Sequence, residues 1–165
     1  MNRARCIAGF AAAVLMTGAL TAQSLWPGTT AGMSLAEVQK VFPDARESDN
    51  AGEPTAGRGT ELLALDQTQI AGHRFSVKFF FKAERLVHVA LAETGEIPMK
   101  EFEKFHGLLR AKYGMEESMQ SSESVGYTWK AVQTTIRLKW SPLGHGMATL
   151  SLTYEAPIPK ETERL

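Results

Sequence analysis

The chain has 165 residues, 18 Lys+Arg against 18 Asp+Glu, 44% hydrophobic residues and 22% charged ones. That is globular usage, and a net charge of +0 argues against a nucleic-acid partner held by phosphate neutralisation. A single cysteine excludes a disulfide framework and a cysteine-rich zinc site.

The first 22 residues read as a secretory signal. Arg3 and Arg5 form a basic start, and Ile7 to Leu20 is an uncharged run of 14 residues. A helix of that length falls short of roughly 30 Å of hydrocarbon but suits the apolar core of a signal. Small residues follow, and Ala22 before Gln23 is the expected cleavage point, with Ala19 as the rival. Cys6 lies ahead of the apolar run, so it cannot become an acylated new N-terminus. The mature chain is therefore expected to lack cysteine and any stable membrane anchor, in the periplasm or secreted. Without Arg3 and Arg5, 16 basic and 18 acidic residues leave a net of −2.

After a turn-rich lead-in at 26–33, Ser34 and Glu37 have the spacing of a capping box, and Leu35, Val38, Val41 and Phe42 make an apolar helical stripe that Pro43 stops. Pro43 to Gly59, 17 residues, is a polar stretch that reads as a loop. A first strand is expected over Glu61–Asp66. Phe75, Val77, Phe79 and Phe81 then alternate with polar positions, and Val87, Val89 and Leu91 continue the period of two. Pairing Lys82 with Leu86 across a three-residue turn sets Phe79 opposite Val89 and Val77 opposite Leu91. A one-residue slip would put Lys78 opposite Val89 and spoil the apolar face.

Pro98 opens a second expected helix with a stripe of Phe102, Phe105, Leu108 and Leu109, and Gly114 closes it. A polar loop to Ser124 precedes three strands, Tyr127–Ala131, Thr134–Trp140 and Ala148–Glu155. Ile136, Leu138 and Trp140 should face Leu150, Leu152 and Tyr154. Residues 157–165 read as a charged, flexible tail.

The order is helix, three strands, helix, three strands, with spans of 60 residues (34–93) and 58 (98–155). The pattern predicts a two-layer α+β fold of two α-β-β-β repeats, 23–95 and 96–156, with helices on one face of an antiparallel sheet. Gly32-Met33-Ser34-Leu35-Ala36-Glu37-Val38, with a proline after the helix and the hairpin of Phe75–Phe81 and Arg85–Val89, resembles the opening of SmpA/OmlA-type domains. That family includes the small lipoprotein of outer-membrane β-barrel assembly, and tandem copies of a related unit form the secreted β-lactamase inhibitor proteins. The resemblance covers some 60 residues of the first repeat, and the chain departs from the lipoprotein in lacking its lipid-bearing cysteine. It implies a non-enzymatic binding module of the envelope or exterior.

Chemistry-bearing patterns are sparse. His73, His88, His106 and His145 share no metal-ligand spacing, and no nucleophile elbow, P-loop or dinucleotide glycine pattern occurs. Neither an enzyme nor a cofactor is expected. The best candidate is a sheet face. If the helices cover one side, the other carries Arg74, Lys78, Phe80 and His88 from the first half, and Arg137 and Lys139 among threonines and serines from the second. These six are the expected partner-binding residues, Phe80 being an exposed aromatic that wants cover. A basic face favours a protein partner with an acidic patch. The alternative expectation is a small-molecule or lipid pocket between sheet and helices, lined by Phe79, Phe81, Phe102, Phe105 and Trp140. Export is checked by intact mass: the mature protein should begin at Gln23, and retention of residues 1–22 would contradict the signal.

Overall fold

The alternating apolar positions become long strands because each buries one face and leaves the other polar. The computed structural model describes residues 25–49, 51, 54–55, 58–121 and 123–157. The expected signal, and the tail beyond Pro157, lie outside the described residues. Helix α1 (Leu35–Val41) is followed by β1 (Arg46–Glu47), β2 (Pro54–Thr55), β3 (Gly59–Ile70), β4 (His73–Lys82) and β5 (Arg85–Gly95). Helix α2 (Met99–Tyr113) leads into β6 (Glu117–Ser121), β7 (Ser124–Ala131), β8 (Thr134–Gly144) and β9 (Met147–Glu155). The strands form one antiparallel sheet in the order β1-β3-β4-β5-β9-β8-β7-β6, with β2 pairing β3. No helix among the described residues is long and apolar enough to cross a membrane.

This corrects the expected fold. Among the described residues the protein is sheet-dominated, with nine strands against helices of 7 and 15 residues, rather than a balanced α+β pair of α-β-β-β units. Five strands follow α1 and four follow α2. The extra ones come from segments read as loops, where β1 and β2 pair with β3 and β6 pairs with β7. Backbone hydrogen bonding to an available strand edge, not side-chain patterning, makes these residues extended.

β5 joins the halves by pairing with β9 from His88↔Glu155 to Gly95↔Ala148. In β4–β5, Phe79↔Val89, Val77↔Leu91 and Phe80↔His88 pair as expected. The turn differs: Phe81 pairs Leu86 and Lys82 pairs Arg85, so the turn has two residues and a bulge absorbs Val87. Ala83 and Glu84 both adopt positive φ (48° and 60°), the backbone that a two-residue hairpin turn requires. Ile136↔Tyr154, Leu138↔Leu152 and Trp140↔Leu150 pair as anticipated.

One sheet face carries the core. Phe75, Val77, Phe79, Val89, Leu91, Ile136, Leu138, Leu150 and Leu152 are buried under Phe102, Phe105 and Leu109 of α2 and Val38 of α1. Leu108 departs from the expected stripe and is 59% exposed. The Ser34–Glu37 capping box forms at α1, and Phe42 beyond it stacks on Trp26 and packs against Phe79. Two indoles strap α2 at its ends: Trp140 Nε1 donates to Ile97 O (2.9 Å) and Trp129 Nε1 to Gly114 O (3.0 Å). These carbonyls flank the helix, so its position over the sheet is fixed by hydrogen bonds as well as by burial.

Gly59 has φ +87°, and a Cβ there would stand 2.5 Å from Phe81 O. Gly72 shares that backbone (φ +88°) but faces open space. Gly59→Ala should lower stability by about 1–3 kcal/mol, and by more than Gly72→Ala, since only the former adds a clash. Urea unfolding checks this; equal midpoints for the two variants would contradict the close approach.

Candidate docking face

With both helices on the core side, the other side of the sheet is composed row by row across the central strands. The first row runs Glu61, Phe80, His88, Glu155, Thr135 on β3, β4, β5, β9 and β8. The second is Ala64, Lys78, Ala90, Thr153, Arg137, and the third is Ser76, Ala92, Ser151, Lys139 on β4, β5, β9 and β8. Thr94, Thr149 and Ser141 form the next row, with Arg74 following Ser76 along β4. Thus four of the six expected residues, Arg74, Lys78, Arg137 and Lys139, share one face as exposed or half-buried cations.

Phe80 and His88 require a correction. Both lie on this face, yet Phe80 is 5% exposed and His88 1%, so neither offers surface to a partner. Their rings meet edge to face at 5.1 Å. The chain after β1 reaches the same corner, where Ser48 N–H donates to Leu62 O (3.0 Å) and its hydroxyl to the buried Glu61 carboxylate. Lys78 Nζ completes the cluster at 3.0 Å from Glu61 Oε2. Ser48 belongs to the polar stretch read as a loop, where no periodicity marks its pairing with β3.

His88 is electrostatically unusual. Neither ring nitrogen has a hydrogen-bond partner among the described residues. Burial, seconded by the positive charges of Arg58 and Arg137 and opposed by Glu155, lowers its pKa to about 4. The imidazole is therefore neutral at physiological pH. Arg137 is itself paired with Glu155, whereas Arg74 and Lys139 make no hydrogen bond or ion pair among the described residues.

The other histidines sit away from this face. His73 contacts two carboxylates, with Nδ1 2.9 Å from Glu93 Oε2 and Nε2 3.2 Å from Glu101 Oε2 in the first turn of α2. Lys104 donates to Glu101, and it and His73 hold that carboxyl below its usual range. His106 stacks on Tyr127 at 3.8 Å and reaches Glu116 Oε1 at 2.8 Å, a contact that lowers the Glu116 pKa. These pairs brace α2 against its neighbours. His145 is exposed at the β8–β9 tip, beside Leu143 and Met147. Among the described residues no group of three or more His, Cys, Asp or Glu could hold a metal ion.

Phe79, Phe81, Phe102 and Phe105, expected to line a pocket under the alternative reading, are all buried members of the core. Trp140 is half-buried, with its indole on Ile97 O. A groove of about 250 Å³ lies elsewhere, lined by Leu35, Gln39, Glu47, Leu62 and Leu63. No family model, curated protein or solved structure matches this chain.

The depressed pKa of His88 has a defined stability consequence. The folded state holds His88 neutral down to about pH 4, while the unfolded chain binds its proton near 6.5. Its unfavourable contribution therefore grows as pH falls through 6.5 and levels off below about 4. Between pH 7 and 5 the loss should be about 2 kcal/mol. Urea unfolding of wild type and His88→Leu at both pH values checks it: the variant should lose less stability on acidification. Equal losses would show that His88 is not held neutral.

Proposed function

We propose that the chain is an exported, non-catalytic protein-binding module that docks a partner with an acidic patch on the uncovered face of its sheet. One observation carries the reading: helices cover a single face, and the opposite face presents Arg74, Lys78, Arg137 and Lys139 around a hydroxyl-rich centre. Export rests on the basic start and 14-residue apolar run of the sequence.

The cations differ in what they can contribute. Lys78 and Arg137 already face carboxylates, so a partner must compete with Glu61 and Glu155 for them. Arg74 and Lys139 are unpaired among the described residues and bring charge to an interface with no such competition. Their rim position should act mainly on association rate and salt sensitivity. The serines, threonines and alanines between them give a flat surface whose hydrogen-bonding capacity is modest and adaptable.

The test is capture of partners by crosslinking in the native host with tagged wild type and the double variant Arg74→Glu/Lys139→Glu. A partner recovered with wild type should fall at least tenfold with the variant, the thermal midpoint staying within a few degrees. Undiminished recovery by a folded variant would overturn the sheet-face assignment.

A further inference from the structure

The uncovered face is not uniform, and its relief narrows what can dock there. On the two central strands β5 and β9 no outward side chain between the His88 row and the strand ends is larger than threonine: Ala90, Ala92 and Thr94 lie beside Thr153, Ser151 and Thr149. Long cationic side chains rise on the strands to either side, Lys78 and Arg74 on β4, Arg137 and Lys139 on β8. The result is a trough with a floor of methyls and hydroxyls between two basic walls.

Its dimensions follow from strand geometry. Three inter-strand steps separate β4 from β8, about 14 Å from backbone to backbone. The floor extends over three rows, about 13 Å from first to last along the strands. An α-helix with its side chains is about 10–12 Å across, and 13 Å corresponds to about nine helical residues. Along the β8 wall, Arg137 and Lys139 are two strand residues apart, about 7 Å, close to the rise of about 6 Å between helical positions i and i+4.

Backbone chemistry separates a helix from an extended peptide. β5 and β9 each have strands hydrogen-bonded on both sides, so the floor offers no free ladder to an incoming strand. An extended segment pressed onto it would bury unpaired N–H and C=O groups, whereas a helix satisfies its own.

We infer that the trough receives an acidic amphipathic α-helix of a partner protein. Carboxylates on its flanks meet Arg74 and Lys78 on one side and Arg137 and Lys139 on the other, and small or apolar residues lie on the Ala90–Ala92 floor. This rests on the docking reading above and adds the conformation and side-chain pattern of the partner segment.

The probe is a fluorescein-labelled 18-residue alanine-based helix with glutamates on two flanks, titrated against the full chain by anisotropy. Comparison probes are an isomer with two central prolines, the same helix with lysines for glutamates, and phosphatidylglycerol vesicles. The inference expects the glutamate helix to bind at least tenfold more tightly than the proline isomer and the lysine helix. Circular dichroism should show added helicity in the complex. Binding should fall at least tenfold with Arg74→Glu/Lys139→Glu, and again with Ala92→Trp, which fills the floor, provided both variants keep the wild-type melting temperature. A proline isomer that binds equally well overturns the helix while leaving an acidic docking partner in place. Charge-sensitive binding to vesicles without peptide binding overturns it in favour of a lipid surface. Failure of every anionic probe overturns the helix and the acidic-partner reading together.

Discussion

The pairing of β5 with β9 is the constraint on which the remaining architecture depends. Strands about 60 residues apart in the chain meet over eight register pairs, from His88↔Glu155 to Gly95↔Ala148. Closing so long a loop costs entropy, but the cost grows only slowly with length. The return is a single core: Val89 and Leu91 come beside Tyr154 and Leu152, and Phe75 and Phe105 are buried with Leu138 and Leu150 in one cluster. Either half alone would bury a marginal core for some 60 residues. The same ladder puts two strands of small outward residues at the centre of the opposite face.

The asymmetry between the two faces has its origin in how α2 is held. Trp140 and Trp129 tie the carbonyls at its ends, and His73 with Glu101 and His106 with Glu116 add polar contacts along it. Phe105 packs edge-on against both Phe75 and His73, so apolar and polar restraints act at the same point. A helix fixed in this way covers the apolar face of the sheet, and among the described residues no helix lies on the other. The opposite face collects Arg74, Lys78, Arg137 and Lys139, while Glu93, Glu101 and Glu116 on the helix side are paired with His73, Lys104, His106 and Arg110.

The long hairpins were legible in the sequence because burial of one face imposes a period of two over many residues. Val77↔Leu91 and Trp140↔Leu150 follow from that alternation alone. The capping box at Ser34 and the stop at Gly114 were legible for a similarly local reason, since each satisfies orphan helix-end groups within a few residues. The two-residue turn at Ala83 and Glu84 was not, because neither residue is the glycine or asparagine that normally marks positive φ. β1, β2 and β6 were missed for a different reason. They are short, polar strands that exist only because β3 and β7 offer free edges.

For the candidate site, alternation alone placed Arg74, Lys78, Phe80, His88, Arg137 and Lys139 on one face, and strand pairing across β4, β5, β9 and β8 puts them on one side of the sheet. Which of them are accessible was decided by tertiary structure. Phe80 and His88 pack ring against ring in the row of the buried Glu61, which Ser48 hydrogen-bonds, and burial there holds the histidine neutral. The sequence by itself determined the central register pairs of the long hairpins, the helix caps and the parity that separates core from surface, because each is a local periodicity or a local hydrogen-bond requirement. The meeting of β5 with β9, the sheet-dominated fold and the burial of one corner of the basic face were decided only by the tertiary structure. Each depends on contacts between segments far apart in the chain, and such contacts leave no period in the sequence to read.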